Sequence, residues 1–201
     1  LPAAVANLAE SHWDRAARAI MTTDTFPKGA SLQLDIGGHP VAITGISKGA
    51  GMIQPNMATM LGFIATDAKI EQGLLQECLN AAVEQSFNRI TVDGDTSTND
   101  ACVVLASGCS AAPEILPGSE HLATFGAALA TVCKRLAELI IRDGEGATKL
   151  MRIIVEQARD SGEALQVAKT IAHSPLVKTA FFASDPNWGR ILAAVGRAVI
   201  D

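Results

Sequence analysis

The sequence contains no run of lysine or arginine, and its formal net charge is -5 with a pI near 5.4. That leaves no electrostatic footprint for nucleic acid or an anionic membrane, so the expected partner is a small molecule or another subunit. No C-x-x-C spacing links Cys78, Cys102, Cys109 and Cys133, and each lies in an apolar neighbourhood such as Cys102-Val103-Val104-Leu105. They are expected as buried free thiols, not as metal ligands or disulfides. No stretch approaches the roughly 18 apolar residues that span a bilayer. The N-terminus also lacks the basic-then-apolar order of a signal peptide, which makes the cytoplasm the expected location. Internal repeats and low-complexity segments are absent. The chain starts at Leu1 without an initiating methionine and stops at Val199-Ile200-Asp201 directly after a regular apolar pattern, which reads as a fragment.

What is present is the composition of a folded protein: 48% hydrophobic and 18% charged over 201 residues, a balance that buries a core and argues against disorder. Ser11 and Asp14 have the spacing of an N-cap and its acidic partner, predicting a helix over about 12–21. Leu32, Leu34 and Ile36 alternate with polar residues, Gly37-Gly38 is a turn signal, and Val41, Ile43 and Ile46 resume the extended pattern, which predicts a hairpin. Apolar residues from Leu74 to Phe87 recur at three and four, predicting one long helix over 71–89. A buried strand is predicted at 101–106 and a second long helix at about 119–141, with Leu122, Phe125, Leu129, Val132, Leu136 and Ile140 inward. Strand 150–155, helix 161–173, strand 176–183 and helix 188–198 complete an α/β layered pattern. The loop Pro113 to Ser119 marks the boundary between a part at 1–112 and a second α/β part at 113–201.

Three loops carry small polar residues that packing does not demand. In Lys48-Gly49-Ala50-Gly51-Met52 the glycines let backbone N–H groups approach an anion or carbonyl, although a lone K-G-x-G is more often an ordinary turn. Downstream, Thr59 stands where a loop becomes a buried strand, a position that β-propensity alone can explain. A threonine can serve as nucleophile when the chain is cut just before it, because its own freed amine then acts as base. The second loop, Asp93 to Asp100, is spelled like a calcium site but lacks the closing glutamate, and a strand follows where a helix is required. It reads as a tight loop whose side chains bond neighbouring backbone, and no metal is expected. In the third, Asp143 to Lys149, Glu145 between glycines can attract a substrate ammonium; the plain alternative is a helix end and a solvated turn.

Taken together, Met21-Thr22-Thr23-Asp24, Lys48 to Met52, Pro55-Asn56-Met57-Ala58-Thr59-Met60-Leu61, Asp93 to Asp100, Glu145-Gly146-Ala147-Thr148-Lys149 and Ser184-Asp185-Pro186-Asn187-Trp188-Gly189-Arg190 resemble the ornithine acetyltransferase, or glutamate N-acetyltransferase, family. The six motifs run in family order through nearly the whole chain. The resemblance implies a layered sandwich of mixed sheets and helices like that of the ornithine acetyltransferases and the DmpA-type aminopeptidases. It also implies self-cleavage at Ala58–Thr59, and acetyl transfer from N2-acetylornithine to glutamate through an acetyl-Thr59 intermediate. By motif, Thr22, Lys48, Thr59 and Glu145 are the substrate-binding positions and Thr59 is the catalytic residue. No cofactor is implied, with acetyl-CoA a possible second acetyl donor. The two products of cleavage are expected to associate as a hetero-oligomer, with no nucleic acid or membrane partner.

The family's chain is about twice this length. Its oxyanion-hole residues precede anything present here, and further substrate contacts come from near its C-terminus. Since oxyanion donors are worth on the order of a hundredfold or more in rate, the 201 residues alone are expected to be poorly active. Two alternatives stay open at this stage. A related aminopeptidase would use water as acceptor, and a non-catalytic assembly module would leave Ala58–Thr59 intact.

Overall fold

A computed structural model of the chain describes residues 1–53, 60–95 and 99–199. The alternating segment around Leu32 forms strand β1 (Lys28–Ile36), which turns back into β2 (His39–Lys48) in antiparallel register from Lys28↔Ser47 to Ile36↔His39. Gly37 and Gly38 both have positive φ, 62° and 82°, as the two-residue turn matching strand twist requires. β2 continues antiparallel to β3 (Leu61–Thr66), and β3 runs parallel to β4 (Ala101–Ala106), so the sheet is mixed with order β1-β2-β3-β4. The architecture is α/β, as the alternation of strands and helices predicts.

Helices pack against the sheet. Preceding the hairpin are α1 (Pro2–Ala6) and α2 (Trp13–Ala19), the latter packed on β1 and β2. The cap expected from Ser11 does not form, because a 3₁₀ turn at Glu10–His12 places His12 at the N-cap with no side-chain bond. The parallel β3–β4 pair needs a crossover, supplied by α3 (Gln72–Glu84), whose N-terminus is capped by the Glu71 carboxylate accepting from Gly73 and Leu74 N–H. The helix predicted to reach residue 89 stops at Glu84. There the Ser86 hydroxyl donates to the Ala82 carbonyl at 2.6 Å, and a 3₁₀ turn at Phe87–Arg89 follows. α4 (Glu120–Arg142), capped by Ser119, packs on α3, β1 and β2. It buries Phe125, Leu129, Val132, Leu136 and Ile140, each contributing about 1.5–3 kcal/mol of burial energy. Its C-terminus fixes where Asp143 and Glu145 stand.

The remaining helices are α5 (Ser161–Ala172), α6 (Pro175–Phe182) and α7 (Trp188–Val195). They share a second, smaller apolar cluster of Val167, Ile171, Val177 and Ala194. Two predictions fail in this region. Residues 176–183 are helical, not a strand: Ser174 caps the helix by accepting from Val177 N–H, and Pro175 occupies its first turn. Residues 150–155 form no ladder among the described residues, although exposure alternates from Met151 to Val155 as it would in a strand. All four cysteines are free, but only Cys133 is fully buried and Cys109 is exposed, contrary to expectation. Burial pushes the Cys133 thiol up to about 12 and Cys102 up to about 11, which keeps both protonated and unreactive near neutrality.

Candidate active site

Lys48 is the last residue of β2, and the glycine loop begins where that strand runs out. Gly49 has a φ of 147°, a conformation that side chains with a Cβ rarely adopt, and its N–H donates to Asp24 Oδ1 at 2.7 Å. The Lys48 side chain is 8% exposed and donates to the Thr22 hydroxyl at 3.2 Å. Among the described residues no carboxylate stands within ion-pairing distance of it. A buried ammonium whose contact is a neutral hydroxyl is poised to take an anionic group from outside.

Glu145 arrives at the same loop from the far end of α4. Its N–H donates to the Ala50 carbonyl at 2.9 Å. Its carboxylate lies so close to Gly51 that a Cβ at that residue would sit 3.0 Å from Cδ and from Oε1. A side chain at Gly51 would only push that carboxylate aside, whereas the backbone of Gly49 is what demands glycine there. Three of the residues singled out in the sequence, Thr22, Lys48 and Glu145, thus converge on Gly49 to Gly51. Glu145 is exposed and free to meet a cation, and Thr22 is exposed beside the Lys48 ammonium. Ala58 and Thr59 lie outside the described residues.

The Asp93 to Asp100 loop reaches across to this segment. The Asp93 carboxylate accepts from Met52 N–H at 2.7 Å and Ile53 N–H at 3.1 Å, and Val92 N–H donates to the Ile53 carbonyl at 2.7 Å. These contacts hold Met52 at a φ of 51°, left-handed for a residue with a side chain. At the other end, Asp100 accepts from Met60 N–H at 2.6 Å, and Ala101 N–H donates to the Met60 carbonyl at 3.1 Å. Burial holds the Asp100 carboxyl above the usual carboxylate range, with the Met60 N–H and the Lys48 charge pulling partly the other way. Within the loop, Asp95 N–H donates to Asp93 Oδ1 at 3.1 Å, in keeping with the expectation that its side chains bond backbone. Its end carboxylates, Asp93 and Asp100, bond the backbone of Met52, Ile53 and Met60.

Beneath these groups lies a buried ion cluster that sequence reasoning did not find. Lys28 has no exposed surface, and its ammonium contacts Asp24 Oδ1 at 2.5 Å and Asp143 Oδ2 at 2.6 Å. It also stands 5.0 Å from the centre of the Phe26 ring, within cation–π range. Asp24 accepts in addition from Thr22 N–H, and Asp143 from Thr25 N–H at 2.9 Å and from the Thr25 hydroxyl. Burial pushes both carboxyls up, but their hydrogen bonds and the Lys28 charge outweigh it, and both lie below the ordinary range. The spacing of Asp24 and Lys28 was the one available signal. It sits outside a helix, where four residues apart implies no contact.

The model of the ArgJ family matches residues 1–201. The curated relatives include the arginine biosynthesis bifunctional protein ArgJ of Methylococcus capsulatus, 66% identical over 198 residues that make up 98% of this chain and 48% of that protein. The protein of the same description from Pseudomonas fluorescens is 57% identical over 199 residues, 98% of this chain and 49% of its own length. The chain therefore spans about half the length of the curated relatives it matches. Among solved structures, the arginine biosynthesis bifunctional protein ArgJ of Bacillus halodurans superimposes with a TM-score of 0.67 at 50% identity, covering 69% of this chain and 65% of that one.

Proposed function

Because the chain belongs to the ArgJ family, we propose that the full-length protein is a cytoplasmic N-acetyltransferase of arginine biosynthesis, moving acetyl from N2-acetylornithine to glutamate. The observation that supports this most is the pairing of opposite charges at one loop: the buried Lys48 ammonium at its start and the exposed Glu145 carboxylate against Gly51. An α-carboxylate and a terminal ammonium are the two charged ends of N2-acetylornithine. Lys48 takes the carboxylate, with the Thr22 hydroxyl beside it, and Glu145 takes the ammonium. Glutamate shares the carboxylate but has no ammonium on its side chain.

In this reading the Thr59 oxygen attacks the Ala58 carbonyl, the Ala58–Thr59 C–N bond breaks as the ester forms and frees the threonine amine, and water then cleaves the ester to leave the Ala58 carboxylate and the Thr59 hydroxyl. In the first half of the cycle the Thr59 hydroxyl gives its proton to that amine and its oxygen attacks the acetyl carbonyl of N2-acetylornithine. The amide C–N bond breaks, the ornithine α-amine takes up a proton and leaves, and acetyl remains as an ester on Thr59. In the second half the α-amine of glutamate attacks the ester carbonyl, and the proton it sheds returns to the threonine oxygen. Acetyl-CoA can load the same threonine as a thioester donor. The two cleavage products stay associated, since β2 and β3, which flank the cut, remain paired in one sheet.

Glu145→Gln tests the recognition half of the scheme. It is expected to lower kcat/KM for N2-acetylornithine by about 1–3 kcal/mol, the worth of a charge-assisted hydrogen bond. Deacetylation of preformed acetyl-enzyme by glutamate should suffer much less. Equal losses in both half-reactions would assign Glu145 a structural role, and rapid release of acetate without glutamate would favour the hydrolytic relatives.

A further inference from the structure

Two of the substrate positions, Thr22 and Lys48, share one anchor, and Glu145 stands two residues beyond another member of the same cluster. Thr22 is tied by its N–H to Asp24 Oδ2 at 3.1 Å, and the peptide after Lys48 is tied by the Gly49 N–H to Asp24 Oδ1 at 2.7 Å. Glu145 follows Asp143 by two residues and donates its own N–H to the Ala50 carbonyl at 2.9 Å, while the backbone N–H of Asp143 is held by the Leu139 and Ile140 carbonyls at the end of α4. Lys28 joins the two carboxylates, whose side chains are only 1% and 2% exposed. Buried ion clusters are poor sources of net stability, because desolvation offsets most of their attraction and apolar replacements of equal volume often do as well. They do enforce geometry, since charge-assisted hydrogen bonds are short and directional.

We infer that Asp24, Lys28 and Asp143 are positioning residues that set the distance between the Lys48 ammonium and the Glu145 carboxylate, and so select the length of the substrate bound between them. The inference rests on the acetyltransferase reading. Asp24 holds the carboxylate-binding end, Thr22 and Lys48, which both substrates use. Asp143 holds the ammonium-binding end, which only N2-acetylornithine uses. Lys28 is the rigid link between them.

The test is steady-state kinetics of the full-length protein with N2-acetylornithine and glutamate, alongside melting temperature and completeness of the cut before Thr59. Asp143→Ala should raise KM for N2-acetylornithine by about tenfold or more, as expected when a recognition group is displaced by a fraction of an ångström to an ångström. Its kcat and its KM for glutamate should change far less. Asp143→Asn keeps acceptors for Lys28 and for Thr25 N–H and should restore most of the lost affinity. Asp24→Asn leaves Lys28 paired with Asp143 and should raise KM for both substrates, with the cut still complete. Folded variants with unchanged KM would overturn the inference, as would an Asp143→Asn defect equal to that of alanine. Loss of the melting transition and of the cut together in all three variants would do the same, by making the cluster a folding element only. Absence of acetyl transfer in the unmodified protein would instead overturn the function on which the inference rests.

Discussion

Thr59→Ala in the full-length protein is expected to leave a single uncut chain and to lower acetyl transfer by about 10⁴-fold or more, the scale seen when a covalent nucleophile is removed. Alanine has no oxygen to attack the Ala58 carbonyl, so the cut fails first and the acetyl acceptor is lost with it. The surroundings should survive the change. Met60 remains held through its N–H by Asp100 and through its carbonyl by Ala101, and β3 remains paired with β2 and β4. Denaturing mass analysis separates the outcomes. Two fragments from the Thr59→Ala protein, divided at the same bond, would remove Thr59 as the nucleophile.

Lys28→Met is expected to destabilise the fold by about 3–5 kcal/mol, the range for removing one partner of a buried ion pair. Methionine matches the aliphatic stem but leaves two inward carboxylates, Asp24 and Asp143, without the charge both of them face. One of them must then take up a proton or draw in water. Thr22, Gly49 and Thr25 also lose their fixed acceptors as those carboxylates separate. Chemical denaturation of the full-length protein checks this. A loss under about 1 kcal/mol, typical of an exposed pair, would mean that the cluster is solvated and not the anchor described above.

The elements legible in the sequence are those with long, unbroken periodicity. α4 shows its inner face from Phe125 to Ile140, and the hairpin shows its turn in Gly37-Gly38; β4 shows its bounds in the apolar run at 101–106 but not its burial, since Val103 and Leu105 are exposed. Short apolar runs misled. The segment 176–183 has the composition of a buried strand, but the Ser174-Pro175 cap starts a helix there, with Val177 and Ala180 buried on one face. At 150–155 the alternation is strand-like, yet a strand is a pairing and needs a neighbour that the chain supplies nowhere among the described residues.

Lys48, Thr22 and Glu145 were legible as a set only through the order of the motifs that contain them. Their chemistry suggested charge recognition, but nothing in spacing brings Glu145 onto Gly51. The Asp24–Lys28–Asp143 cluster left no usable signal in the sequence, because Asp143 read as a turn residue and its partner Lys28 is 115 positions away. Pairings at that range come from the packing of α4 on the sheet, which propensity does not encode.

The most direct measurement is the mass of each fragment of the full-length protein after brief exposure to N2-acetylornithine and again after addition of glutamate. The account predicts two fragments, with one acetyl group on the fragment that begins at Thr59, located on Thr59 itself and lost when glutamate is added as N-acetylglutamate appears. Transfer of acetyl from N2-acetylornithine to glutamate by a protein whose Ala58–Thr59 bond is intact, or with acetyl never found on Thr59, would contradict it.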